Sequence, residues 1–323
     1  MCTAISVTAG DHYFGRNLDY EHTFGEQVTI TPRNYPFEFS DGTNSSEHYA
    51  IIGMALPMNG YPLYFDAVNE KGLGMSGLNF PGNAYYSAPE EGKINVSSYE
   101  LIPWLLAQCK CVEEAVELLE RCNITNKRFK EKLEPTPLHW FVADKYRSIT
   151  VEQTANGLKI YDNPVGVLTN NPTFDILLFN LNNYTLVTAS EPTNLFSKKL
   201  HLRTYSRGMG GIGLPGDLSS MSRFVKATFT KLNSVFGTTE QEIVHQFFHC
   251  LYSVYQQKGS VQVGEGFEMT NYSSCCNTDK GIYYFTTYYN NAIRSVSMYN
   301  ENLNSSALII YDLRNEAEFI KLN

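Results

Sequence analysis

Apolar and polar residues alternate with a period of two along most of the N-terminal half, the pattern of half-buried strands. Thr3–Thr8 alternates, Gly10-Asp11 breaks the run and His12–Leu18 returns, so these pieces read as a β-hairpin. Gln27–Thr31 is the next strand candidate, halted by Pro32. Ile51–Leu56, Leu63–Asn69 and Leu73–Asn79 follow, the last two joined by the turn-like Glu70-Lys71-Gly72.

The period then changes. Ser97-Ser98-Tyr99-Glu100 is a capping-box pattern ahead of Leu101, Leu105 and Leu106, and Val112–Arg121 carries Val116, Leu118 and Leu119 at helical spacing. Strands resume at Leu138–Ala143, Ser148–Gln153, Leu158–Tyr161 and Val165–Leu168. Two helices are predicted around Ser220–Leu232 and Thr239–Gln256. Alternation returns from Phe267 to Leu313, with strands at Gly281–Tyr288, Ile293–Tyr299 and Ala307–Tyr311. Strands and helices in blocks predict sheet packed on sheet with helices outside, not alternating βαβ units. No Pro/Ser-rich linker divides the 323 residues, which read as a single domain, 1–323.

Composition narrows the class of function. Apolar residues make up 43% and charged residues 18%, as in an ordinary globular enzyme. The net charge of −8 and the lack of a Lys/Arg track argue against nucleic acid as a partner. The longest basic run, Lys127-Arg128-Phe129-Lys130, is followed at once by Glu131, Lys132 and Glu134, so it reads as a solvated loop or helix face. No stretch approaches the roughly 18 apolar residues of a membrane span. Thr3–Val7 is too short for a secretory h-region and lacks a basic flank. Seven cysteines (2, 109, 111, 122, 250, 275, 276) are an odd number, so reduced thiols in a cytoplasm are expected.

Several motifs carry less chemistry than they first suggest. The glycine-rich loop Arg207–Asp217 lacks the Gly-Lys-Ser/Thr ending of a phosphate loop and is interrupted by Leu214-Pro215-Gly216; it reads as a structured surface loop at a subunit contact. His245 and His249 stand at i,i+4, but Gln-Phe-Phe between them lacks the Glu of a zinc peptidase. Cys109-Lys110-Cys111 and Cys275-Cys276 lack zinc-site spacing and read as small buried hydrophobes. His139 could serve a Cys–His dyad, although no local signature supports it. No metal and no cofactor is called for.

Cys2 is different. It follows the initiator Met1, and Met aminopeptidases trim Met before small side chains. Trimming would put a thiol nucleophile and a free α-amine on one residue, and an amine titrating near ~7.7–8.0 can act as its own general base. In the predicted hairpin the start of the first strand lies across from the end of the second, Phe14-Gly15-Arg16-Asn17-Leu18-Asp19. A guanidinium there favours the thiolate and a carboxylate can hold the amine; a surface ion pair at a strand end is the alternative. Asparagines in Gly77-Leu78-Asn79 and Leu168-Thr169-Asn170-Asn171-Pro172 are suited to an oxyanion, or to turns. Arg223 is a charge among apolar helix positions.

Met1-Cys2-Thr3, Phe14-Gly15-Arg16-Asn17-x-Asp19, Asn69-Glu70-Lys71-Gly72-Leu73, Gly77-Leu78-Asn79, Leu168-Thr169-Asn170-Asn171-Pro172 and Ser222-Arg223-Phe224 resemble the choloylglycine hydrolase family of N-terminal nucleophile hydrolases. The resemblance runs from residue 1 to about 311. It implies an α+β, four-layer αββα sandwich and cleavage of the amide of glycine- or taurine-conjugated bile salts. By the same resemblance Cys2 is the nucleophile, supported by Arg16, Asp19, Asn79, Asn171 and Arg223, with the Asn79 main chain and the Asn171 amide on the oxyanion. It further implies a bacterial cytoplasmic homotetramer without a propeptide, with 203–220 reaching into a neighbour. The penicillin V acylases of the family commonly carry Tyr where Asn79 stands, which favours bile salts, although an acylase for another N-acyl amide remains the alternative. A non-catalytic β-rich binding protein would leave the coincidence of these residues with Cys2 unexplained. Leu18, Tyr20, Met58, Tyr61, Phe65, Phe129 and Leu138 are the expected apolar trough for the steroid.

Overall fold

The computed structural model describes residues 1–45, 47–129 and 133–323. Lys130, the end of the basic run noted above, and Glu131 and Lys132 after it lie outside the described residues. The predicted hairpin forms as β1 (Cys2–Ala9) and β2 (Asp11–Tyr20). Gly10, at φ +73° between them, takes the left-handed conformation that glycine adopts without strain. The register sets Cys2 against Leu18, Thr3 against Asn17, and Ala4 against Arg16.

The hairpin sits inside a seven-stranded antiparallel sheet. Its order is Val167–Leu168, β1, β2, Gly266–Asn277, Ile282–Thr287 and Asn290–Ser297, with Val261–Val263 paired to Gly266–Asn277. A Cβ on Gly15 would stand 2.0 Å from the Ser274 carbonyl oxygen, so the close approach of β2 to its neighbour requires glycine there. An eight-stranded antiparallel sheet lies against the first. Its order is Gly157–Asp162, Ser148–Thr154, Leu138–Ala143, Gly74–Asn79, Tyr61–Asn69, Ile51–Met58, Gln27–Thr31 and Ile309–Tyr311.

The helices Ser220–Asn233 and Glu240–Tyr252 pack on the outer face of the first sheet, and Leu101–Gln108 packs on the outer face of the second. Two cores result. One fills the space between the sheets and reaches Phe224, Phe247 and Phe248; the other lies between the second sheet and residues such as Trp104, Leu105 and Val112. The architecture is the expected four-layer αββα sandwich. Among the described residues no helix is long and apolar enough to cross a membrane.

Two elements show where the periodicity misreads or misses structure, beside short strands such as Ile94–Ser97 and Cys122–Thr125 that it also leaves out. Gly266–Asn277, twelve residues long, is buried from Glu268 to its end yet carries Glu, Thr, Asn and Ser among its apolar residues. It lies between a helix layer and a sheet, so both its faces are covered and no alternation develops. Phe174–Asn180 has only seven residues, too few to show a helical period. At Ser97–Glu100 half of the predicted capping box forms: the Glu100 carboxylate accepts the Ser97 N–H at 2.9 Å, while the helix begins at Leu101.

Candidate active site

Strand alternation divides the end of the hairpin into two chemically distinct faces. Cys2, Ala4, Arg16 and Leu18 share the face toward the second sheet; Thr3, Asn17 and Asp19 share the face toward the helices. Cys2 is only 4% exposed.

On the inter-sheet face, Arg16 reaches from one sheet into the other. Pairing of Tyr61–Asn69 with Gly74–Asn79 ends at Asp66 and Ser76, and the Arg16 guanidinium occupies the place of the next pair. Its Nη1 donates to the carbonyls of Phe65 at 2.9 Å and Gly77 at 2.6 Å. Its Nη2 is buried without a hydrogen-bond partner among the described residues. Burial works against the charged guanidinium, but Cys2, Tyr272, Asp66 and Asp19 outweigh it and raise its pKa.

Asp66 went unnoticed in the sequence, although a lone carboxylate inside an apolar strand is a usable signal. A bulge at Phe65 turns it inward: Met54 pairs with Asp66 and Ala55 with Tyr64. Asp66 accepts hydrogen bonds from Tyr272 at 2.5 Å, Tyr283 at 2.7 Å and Ser274 at 3.0 Å. Burial pushes its carboxyl pKa up, opposed by Arg16 and these hydroxyls.

On the helix-facing side, fully buried Arg223 gathers the chain around Cys2. Nη1 donates to the Cys2 carbonyl at 2.5 Å and to Thr3 Oγ1 at 2.7 Å, while Nη2 donates to Asn170 Oδ1 at 2.7 Å. Burial lowers its pKa, opposed by Asp19 and Cys2. The Asp19 carboxylate accepts from Thr270 Oγ1 at 2.6 Å and Gln256 Nε2 at 3.2 Å. Burial raises its pKa, against the pull of Arg223 and the N-terminal amine.

The asparagine prediction needs a correction. Asn170, not Asn171, meets the cysteine: its Oδ1 accepts the Cys2 N–H at 2.8 Å and its Nδ2 donates to the Asn79 carbonyl at 2.7 Å. Asn171, one residue on, sends its side chain to the Pro81 carbonyl at 2.7 Å. The two asparagines lie in a bend beyond the strand Val167–Leu168, where their side chains go to different partners, and the doublet hid which one faces inward.

Asn79 closes its strand in a telling way. Phe80 N–H bonds to the Pro137 carbonyl and Leu138 N–H turns to the Tyr86 hydroxyl. Asn79 and Leu138 are therefore a non-hydrogen-bonded pair, and the main-chain N–H and C=O of Asn79 point away from Leu138–Ala143.

Met1 prolongs β1 by one residue. Its carbonyl accepts the Asp19 N–H at 2.9 Å, its ammonium donates to the Asp19 carbonyl at 2.6 Å and pairs with the buried Glu268 carboxylate. Burial lowers the pKa of this ammonium. While Met1 is attached, the nitrogen of Cys2 is a peptide N–H and cannot act as a base.

The predicted trough residues fall into separate groups. Leu18 is the cross-strand partner of Cys2. Tyr20 packs on Phe24, which reaches Phe65. Leu138 pairs with Asn79. Tyr61 and Phe129 instead pack on each other and on Tyr99, and Tyr61 belongs to the edge of the second core. Met58 pairs with Tyr61 at the hairpin end of its strand. His139 makes no dyad with Cys2; its ring bonds to Glu152 and to the Thr169 carbonyl.

A four-layer αββα sandwich that sets a cysteine at the start of an inner strand beside Arg16 and Asp19 of the same sheet and Arg223 of an outer helix has the fold of the N-terminal nucleophile hydrolases. The family model of linear amide C–N hydrolases, choloylglycine hydrolase family, matches residues 2–311, and the chain belongs to that family. The chain is 56% identical to a bile salt hydrolase/transferase of Lactiplantibacillus plantarum over 100% of both chains. It is 38% identical to a bile salt hydrolase/transferase of Clostridium perfringens over 96% of each. A crystal structure of a mutant conjugated bile acid hydrolase from Clostridium perfringens superposes with a TM-score of 0.92 at 36% identity, covering 100% of both chains. A penicillin V acylase from Agrobacterium tumefaciens shares the fold, with a TM-score of 0.75 at 19% identity over 97% of this chain and 91% of that one.

Proposed function

We propose that this chain hydrolyses the amide bond of glycine- or taurine-conjugated bile salts, using Cys2 as nucleophile once Met1 has been removed. One observation carries the reading: a single side chain, Asn170, ties together the nitrogen of Cys2, the carbonyl of Asn79 and the guanidinium of Arg223.

The chemistry follows from the two faces. On the inter-sheet face, the Arg16 guanidinium shares the Cys2 side of the hairpin, and its Nη2 has no hydrogen-bond partner among the described residues. On the helix-facing side, the freed α-amine stays on Asn170 Oδ1 and beside Asp19. The sulfur attacks the amide carbonyl carbon, and the oxyanion is held by the outward-pointing Asn79 N–H and the second Nδ2 hydrogen of Asn170. As the C–N bond breaks, the leaving nitrogen takes a proton from the α-ammonium and departs as glycine or taurine. Water, deprotonated by the same amine, then attacks the thioester, and the C–S bond breaks to release the bile acid. The aromatic group Tyr20, Phe24 and Phe65 offers apolar surface for the steroid.

The wider expectations are proposals of the same kind. We infer a bacterial cytoplasmic enzyme that assembles as a homotetramer. The exposed apolar residues Leu195, Phe196, Leu202, Tyr205 and Ile212, in and just before the 203–220 loop, support self-association.

The test is incubation of the purified protein with glycocholate, taurocholate and penicillin V, with quantification of released amine and mass spectrometry of the N-terminus. Amine release from the conjugates by protein lacking Met1 is expected. Cleavage of penicillin V alone would move the chain to the acylase branch, and full activity with Met1 retained would remove the amine from the mechanism.

A further inference from the structure

His139 and Glu152 form a fully buried pair whose hydrogen bonds lead back to the Cys2 site. Nε2 of His139 lies 2.9 Å from the Thr169 carbonyl oxygen, and Nδ1 lies 3.1 Å from Glu152 Oε1. A carbonyl can only accept, so Nε2 carries a hydrogen. Glu152 Oε1 also accepts the Phe174 N–H at 3.0 Å, so one carboxyl oxygen ties the ring to the start of the following helix. The hydrogen shared between Nδ1 and Oε1 fixes the ring plane whichever of the two carries it, and the ring lies flat on Phe80, with centroids 4.2 Å apart and planes inclined by 7°.

What His139 holds is the residue before Asn170. Thr169 is fixed from the side by the start of a helix: Thr169 Oγ1 donates to the Ser220 carbonyl at 3.0 Å, and Ser220 Oγ accepts the Asn170 N–H at 2.8 Å. His139 fixes the same peptide through its carbonyl. Asn170 then has one orientation from which to meet Cys2 N and Asn79 O. Burying a polar pair is costly and is not needed to stabilise a sandwich, since an apolar pair of similar size would serve.

We propose that His139 is a positioning residue for the amide-cleaving site, holding Asn170 through the Thr169 carbonyl, and that Glu152 fixes the imidazole ring for that purpose. The proposal rests on Asn170 serving Cys2 as argued above.

The test compares His139→Leu, Glu152→Gln and the double variant in the full-length protein, with the bile salt conjugate that the wild type cleaves. Glu152→Gln preserves size and an acceptor for the Phe174 N–H while replacing the carboxyl, so it guards against a folding failure of His139→Leu. Each single variant is expected to lower kcat by about 10- to 100-fold with little change in KM, as second-layer partners of functional groups do. The double variant is expected to be no worse than His139→Leu, because both act through one hydrogen bond. In the wild type, 15N NMR is expected to show the hydrogen of His139 on Nε2, hydrogen-bonded, at pH 7. Folded variants with lower thermal stability but unchanged kcat, or losses that multiply in the double variant, would reduce the pair to a structural role. A wild type that cleaves no conjugate would instead sink the proposed function and leave the NMR signature as the remaining test of the pair.

Discussion

The two ends of one strand pair, β1 and β2, each hold a nucleophile, and only one of them looks like a reaction centre. At the far end Ser6 Oγ lies 2.8 Å from His12 Nε2, and His12 Nδ1 lies 2.9 Å from Thr278 Oγ1, a nucleophile–base–orienter line by distance alone. Each of these contacts closes on a neutral hydroxyl or imidazole. At the Cys2 end, Arg16, Asp19 and Arg223 are all buried with no exposure, and one guanidinium nitrogen has no hydrogen-bond partner among the described residues. Buried charge is expensive and persists where it has a use, whereas a satisfied neutral network is what a stable core contains. Proximity of nucleophile and base is thus a poorer guide to a site than unspent charge.

The largest test of that contrast pairs Cys2→Ala with Ser6→Ala. The first is expected to cut conjugate hydrolysis by more than about 10⁴-fold, as loss of a nucleophile does. The second should leave kcat within about twofold while costing about 1–3 kcal/mol in urea unfolding, the penalty for leaving His12 Nε2 unpaired. Loss of the chemical step in Ser6→Ala with retained fold would overturn the comparison.

The asparagine doublet gives a smaller and sharper test. Asn170→Ala is expected to lower kcat by about 10²–10³-fold, the usual effect of removing an oxyanion donor. Asn171→Ala loses only a bond to the Pro81 carbonyl and should stay within about threefold of wild type, by the same reasoning that distant polar contacts carry little of the barrier. Equal losses at the two positions would mean that the local geometry around Cys2 has been misassigned.

This doublet also marks the limit of what the sequence could show. The hairpin was legible because its faces alternate and Gly10 breaks them, and from it the juxtaposition of Cys2 with Arg16 and Asp19 followed. The division of labour was only half legible: Arg16 and Asp19, three residues apart in one strand, fall on opposite faces by alternation alone, but which face meets the second sheet and which the helices is set by tertiary packing. The Asn170-Asn171 doublet lies in a bend, where no periodicity tells which amide turns inward. Asp66 stayed hidden because the bulge at Phe65 breaks the period on which its strand was read. Tyr61 and Phe129 were grouped with Phe65 on chemical likeness, and the two helix- and sheet-lined cores separate them.

The smallest effect concerns the sealed end alone. Burial lowers the His12 pKa to about 4 from its ordinary 6.5, against the pull of Asp144 and Asp279. Below pH 6.5 the unfolded chain takes up a proton at this position that the folded chain refuses. His12 therefore contributes stability that is fully present above about pH 6.5, declines as the pH falls, and is lost below about pH 4. The gap corresponds to at most about 3 kcal/mol. Urea unfolding at pH 7, 5.5 and 4 should show this decline in the wild type and a flatter profile in His12→Gln, with that variant less stable at pH 7. Because the charges around Cys2 are untouched, activity per folded molecule should not change. An equally steep decline in the variant would assign the acid sensitivity to the carboxylates of the charged end instead.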